Sequence, residues 1–251
     1  MNRKRVSKVI DKTKILEASD KRPNSLLSGN KVTGHSLNFP IHGTCRPSKV
    51  CIETCYYAAG ATSWTASLRK QIWLFDYCST SPIEFAKEIV AEYKKLNLDY
   101  LRWNGGGDLF PASAEALNYI GENHPEMTIW IVTRIPEMAA LIGDYPNLHL
   151  HFSLDAHSLE RREKALELVT RPIFFSYQCM KEEKPDVEFL TKNHGVSLFF
   201  FDNYKITDPI YQEKFSEFLC TLNLDRTNNG DITGSCSDCR MCFNGHWLEG
   251  K

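Results

Sequence analysis

The sequence predicts an α/β protein built as a partial (βα)6 TIM-like barrel, with an N-terminal extension and a cysteine-rich C-terminal tail. Two patterns carry that expectation. Apolar or β-branched runs recur at 100–103, 127–133, 148–154, 173–177 and 196–201, with an earlier one at 36–41. Between them lie segments whose apolar residues repeat at helical spacing. Such alternation favours parallel strands joined by right-handed crossovers. Length supplies a third argument, because a closed eight-unit barrel takes about 250 residues. Here 251 residues must also hold an extension, 1–35, and a tail, 226–251, which leaves 36–225 for six units. A doubly wound sheet is the competing arrangement, and periodicity does not choose between the two.

In chain order, a basic stretch comes first: Arg3, Lys4, Arg5, Lys8, Lys12 and Lys14 stand against Asp11. It reads either as a solvated, partly disordered arm or as a contact for nucleic acid, whose phosphates reward clustered cations. The clearest helix spans 81–97. Ser81-Pro82-Ile83-Glu84 has the form of a capping box with proline at the first helical position, and Phe85, Ala86, Ile89, Val90, Tyr93 and Leu96 mark one face. Shorter helices fit 113–122, 136–143, 158–169 and 185–194, the last with Gly195 just past its end. A further helix opens at Asp208-Pro209, with Ile210, Tyr211, Phe215, Phe218, Leu219 and Leu222 on its apolar side.

Parallel βα folds place their chemistry at the carboxyl ends of strands. The loop after the first strand holds Cys45, Cys51 and Cys55. Asn104-Gly105-Gly106-Gly107-Asp108 follows the second strand, and Thr133-Arg134 the third. The fourth ends in Ser153-Leu154-Asp155, the fifth in Ser176-Tyr177-Gln178-Cys179, and the sixth in Asp202-Asn203-Tyr204. Six polar strand ends at one mouth describe a site. The glycines either admit a ligand close to the backbone or form a tight turn. Gly105, Gly106, Gly107, Asp108, Ser153 and Asp155 are the residues expected to hold a small-molecule cofactor. His149 and His151 share one face of the fourth strand and read as a polar strand face before they read as metal ligands.

The cysteines are the most specific signal. Cys236-Ser237-Asp238-Cys239-Arg240-Met241-Cys242 is a C-x-x-C-x-x-C run, the core of a bacterial iron–sulfur ligand pattern. Cys45, Cys51 and Cys55 form a looser C-x5-C-x3-C set on one loop. Together these six are the expected metal ligands, for one or two [4Fe–4S] clusters. Cys236, Cys239, Cys242 and His246 also make an acceptable Cys3His zinc set. The terminal triplet wants a fourth ligand, from His246, from Cys179 or from the first triplet. Either long-range choice would fold the tail back beside the mouth. Cys78 and Cys220 lie among apolar residues in helical context and read as core thiols.

Leu27-Ser28-Gly29-Asn30, Gly34, Leu37-Asn38-Phe39-Pro40 and the first cysteine block with Tyr56-Tyr57-Ala58 resemble the start of the gene product 88 family of phage and mobile-element proteins. Gly107-Asp108, Thr133-Arg134, Ser153-Leu154-Asp155 and the terminal cysteine run are similar to that family's later blocks. A wider resemblance is to radical S-adenosylmethionine enzymes, which carry a cysteine loop after strand one and a glycine-acid segment after strand two. That resemblance implies a [4Fe–4S] cluster on Cys45, Cys51 and Cys55 with one iron open to S-adenosylmethionine. It also implies radical chemistry on a substrate that no motif names. The spacing departs from that superfamily's C-x3-C-x2-C. A non-enzymatic iron–sulfur or zinc module acting on nucleic acid or a host protein is the alternative.

Composition is that of a globular protein, 42% hydrophobic and 24% charged with a formal net charge of -1. No apolar run approaches the roughly 18 residues of a membrane span, and no charged-then-apolar leader marks secretion. An odd count of nine cysteines suits a reducing compartment. The expected location is therefore the cytoplasm, a host's if the chain is phage-encoded.

Overall fold

The computed structural model of the protein describes residues 2–18, 21–179, 183–200, 218–220, 235–240 and 242–243. The first elements are α1 (Asn2–Ile15), the hairpin strands β1 (Ser28–Asn30) and β2 (Gly34–Asn38), and the short helices α2 (Ile41–Thr44) and α3 (Lys49–Thr54). Then come α4 (Thr65–Thr80), α5 (Pro82–Lys95), β3 (Leu101–Gly106), α6 (Pro111–Asn123), β4 (Ile129–Thr133) and α7 (Pro136–Ala139). The series ends with β5 (Leu148–Leu154), α8 (Glu160–Leu168), β6 (Phe174–Gln178), α9 (Val187–His194) and β7 (Val196–Phe200). The expected helix from 208 lies outside the described residues save 218–220, as do Asp202-Asn203-Tyr204, His246 and the boundary at 225.

Seven strands lie side by side in the order β1 to β7. β1 runs antiparallel to β2, and every other neighbouring pair is parallel. A doubly wound sheet reverses its strand order at a switch point, and this order never reverses. Right-handed crossovers that always step the same way put their helices on one face. The sheet does not close on itself among the described residues, so the architecture is an open, mostly parallel α/β sheet.

Strand alternation sorts the two faces. On β5, Leu148, Leu150, Phe152 and Leu154 are buried in the main core beneath Phe85 and Ile89 of α5 and Leu117 and Ile120 of α6. Each such side chain contributes about 1.5–3 kcal/mol by leaving water. Residues of opposite parity, His151 and Ser153, turn to a cavity on the other face.

Several local expectations need correction. Ser81 precedes α5 but makes no side-chain capping bond, so the helix start rests on Pro82 at the first turn. The long helix α4 is not foreshadowed by the sequence pattern. Its N-cap position is Trp64, without a side-chain cap, and Leu68, Trp73, Leu74, Phe75, Tyr77 and Cys78 are too spread to form a stripe. The basic arm is a helix, because Val6 and Val9 are buried against Ile41, Tyr57, Ala58 and Leu68. No helix among the described residues is long and apolar enough to cross a membrane.

The glycine run is part of β3 rather than a loop after it. Ser36 and Asn38 of β2 lie opposite Arg102 and Gly106, so four steps of β3 meet two of β2. The slack is taken up at Asn104, whose φ of 61 is left-handed. A β-carbon on Gly105 would stand 2.4 Å from Asn38 Oδ1, and one on Gly106 would stand 2.2 Å from the Tyr57 ring. These glycines are required by packing within the protein. Gly106→Ala is expected to destabilise the fold by about 1–3 kcal/mol, because buried Tyr57 has nowhere to go. Urea unfolding measures this, and Gly106→Ala should cost less in a Tyr57→Ala background than in the parent chain.

Candidate functional site

A cavity of about 490 Å3 occupies the face of the sheet opposite the helices, and all six predicted cysteine ligands line it. Gly105, Gly106, Gly107, Asp108 and Ser153 line it too. Asp155 sits one layer behind, fully buried.

The first cysteine loop is fastened to three strand ends. Thr44 Oγ1 donates to Pro40 O at 2.6 Å and accepts from Asp108 N at 3.1 Å, beyond β3. Ser48 caps α3 by accepting from Cys51 N at 3.1 Å, and its hydroxyl donates to Asp155 beyond β5. Arg134, beyond β4, donates to the same carboxylate. Asp155 therefore holds the loop in place instead of presenting itself to a ligand. The Asp108 carboxylate is almost equally occupied: Oδ1 accepts from Thr133 Oγ1 at 2.6 Å and Leu109 N at 2.8 Å, and Oδ2 from Arg134 N at 3.2 Å. Burial outweighs these bonds and lifts its pKa to about 6. Burial, then the Asp108 charge, pushes the Cys45 thiol well up; burial also raises Cys51, with Arg134 opposing.

The tail approaches from the other end of the strands. Cys236 N donates to Val32 O at 2.8 Å, at the β1–β2 turn. Phe243 stacks on Tyr100, just before β3, with ring centres 4.1 Å apart. Arg240 pairs with Asp99 at 3.1 Å. The helical turn Cys236–Cys239 is closed by a reciprocal cap, in which Ser235 Oγ accepts from Asp238 N at 3.3 Å and Asp238 Oδ2 accepts from Ser235 N at 3.1 Å. The tail thus folds back onto the sheet as expected, but against the amino ends of β3 and β4 rather than beside the first cysteine loop.

Two expectations about single cysteines change. Cys179 is fully buried in the main core on the helix side and does not line the cavity. Cys220, read as a core thiol, lines the cavity with the tail triplet. Burial and then the Cys220 charge push Cys236 to about 12, and the same two causes raise Cys242. Its signal was not local. Cys220 reaches this wall only because Leu219 pairs with Phe199 of β7.

Between the two cysteine groups lies Arg102. Its guanidinium sits 4.9 Å from the Trp130 ring centre and donates to Tyr56 Oη at 2.9 Å, while Tyr56 donates to Gly105 O. His151 is buried beside Trp130 and stacks on Phe174 at 5.2 Å. Arg102 Nε, Trp130 Nε1, His151 Nε2 and Gln178 Nε2 are buried without a hydrogen-bond partner among the described residues, and all four residues line the cavity. Orphaned polar atoms concentrated at one place are donors and acceptors open to a bound group, water or a further side chain. Among the described residues, no three His, Cys, Asp or Glu side chains are gathered as a single metal ion requires.

A family model described as gene product 88 matches residues 6–245, a span that includes both cysteine groups. No curated protein and no solved structure matches the chain.

Proposed function

The chain belongs to the gene product 88 family, and from that premise we propose that it is an iron–sulfur protein with two [4Fe–4S] clusters facing one cavity. One observation carries the reading. Two cysteine groups nearly two hundred positions apart line the same cavity, with donors between them that have no partner among the described residues. Thiolates are soft ligands suited to iron–sulfur clusters. In a cluster each thiolate takes its own iron, so its donors stand further apart than those of one ion, in keeping with the spread of these side chains. A (βα)6 partial barrel is the form of fold this reading implies.

Cys45, Cys51 and Cys55 would hold the first cluster and leave one iron without a protein ligand. S-adenosylmethionine is the cofactor proposed for that position, and a bound cluster would supply the electron for its reductive cleavage. The protein's own share is positional. Thr44, Ser48 and Asp155 fix the cysteine loop, the packed glycines give the cavity a floor without side chains, and Ser153 offers a hydroxyl. Protein purified without oxygen is expected to be brown, absorbing broadly near ~400 nm. Adding S-adenosylmethionine should alter the reduced cluster's paramagnetic resonance spectrum. A colourless preparation holding stoichiometric zinc would defeat the reading.

A second reading, a module that docks on nucleic acid, is favoured by α1. Arg5, Lys8 and Lys12 line a groove of about 410 Å3 with Ala58, Gly60 and Ser63. Binding to duplex DNA that weakens steeply with salt, and that weakens further in Lys8→Glu, is the expected behaviour.

A further inference from the structure

The tail carries three thiols, and a cluster held wholly by protein takes four. A further thiol stands at the far edge of the sheet. Leu219 bridges to Phe199 in parallel, and Cys220 N donates to Phe199 O at 3.1 Å. That pairing brings Cys220 to the same wall as Cys236, Cys239 and Cys242. The two other cysteines outside the triplets, Cys78 and Cys179, are fully buried in the main core beneath the helices. We propose that Cys220 completes a four-thiolate site with Cys236, Cys239 and Cys242, and that this site holds a four-iron cluster with no open iron.

The inference rests on the iron–sulfur reading above and adds a ligand that the sequence pattern does not contain. Its surroundings suit a cluster bearing net negative charge. Arg102 acts on both Cys236 and Cys242. Its Nε–H is buried without a partner among the described residues, as is the indole N–H of Trp130, which lines the same cavity. Both are donors available to ligated sulfur, and hydrogen bonds to sulfur are one lever by which a protein sets a cluster's potential. Without cations nearby, burying such a charge would be strongly unfavourable.

A cluster with four protein ligands has no position for substrate, so its work lies elsewhere. Cys236 N is bonded to Val32 at the β1–β2 turn, while Cys220 is bonded to β7. One cluster therefore joins the two edges of an open sheet. It is a staple across the cavity as well as an electron store facing the first cluster.

The test uses the full chain, purified without oxygen. With Cys45, Cys51 and Cys55 all changed to Ser, about four irons per chain are expected to remain. Adding Cys220→Ala should then remove at least about one iron per chain and change the resonance spectrum, whereas adding Cys78→Ala should change neither. If Cys220→Ala fails to fold, Cys220→Asp keeps an anionic ligand and should retain iron with a shifted spectrum. Unchanged iron and spectrum in the Cys220 variants would overturn the four-thiolate assignment while leaving the iron–sulfur reading intact. A parent chain without iron, or with one zinc and no sulfide, would overturn both.

Discussion

Asp155→Ala is expected to cost about 3–5 kcal/mol of stability and to abolish iron at the proposed first cluster site while sparing the proposed tail site. The carboxylate is fully buried and paired with Arg134, itself only 13% exposed. Removing it leaves the guanidinium in a low-dielectric setting without the carboxylate it is bonded to, which costs more than the lost pair itself was worth. The Ser48 hydroxyl loses its acceptor at the same time. Since Ser48 caps α3 through Cys51 N, the loop carrying Cys51 and Cys55 comes loose from the sheet. The two effects separate by a second substitution. Arg134→Met on top of Asp155→Ala should restore much of the stability, because the stranded charge is gone, but should not restore iron at the first site. Urea unfolding and iron analysis decide it. Full iron occupancy in Asp155→Ala would show that the loop holds itself in place.

The contrast between Asp155 and the cysteines shows what this sequence makes legible. β5 is read to the residue, because one parity from Leu148 to Leu154 is wholly apolar and the other is not. α9 ends where Gly195 predicts, at a φ of 59 that favours glycine. Both are local facts, encoded within a few positions. The roles of Asp155, Cys220 and the glycines are not local. A buried carboxylate and a ligand-binding one look alike until Arg134 and Ser48 arrive from other loops. The glycine run suggests a ligand, yet the atoms that demand it are the Tyr57 ring and the β2 side chains. Cys220 sits among apolar residues in sequence, and only the pairing of Leu219 with Phe199 turns it to the cavity. The cysteine triplets stand out in the sequence because their spacing is local, and the fold brings both to one cavity.

Between pH 4 and 6 the two largest effects on the stability of the chain oppose each other, and burial of His149 adds a smaller slope in the same sense as His151. Burial lifts Asp108 from an ordinary 3.8 to about 6, so the folded state binds that proton more tightly than the unfolded one. Its contribution is fully present below about 3.8 and is lost as pH rises towards 6. Burial lowers His151 from 6.5 to about 4, with His149 acting in the same sense and a backbone hydrogen bond to Cys242 opposing. Here the unfolded state binds the proton more tightly, so stability is lost on acidification and recovered as pH rises towards 6.5. Each shift spans roughly two pH units, or about 3 kcal/mol. Single substitutions uncover the hidden slopes. Asp108→Asn should leave a stability that climbs with pH across this window, and His151→Gln one that falls. Urea unfolding at pH 4, 5, 6 and 7 reads all three profiles. A parent profile that falls by about 3 kcal/mol would mean the His151 ring is solvated, and one that climbs by as much would mean the same of Asp108.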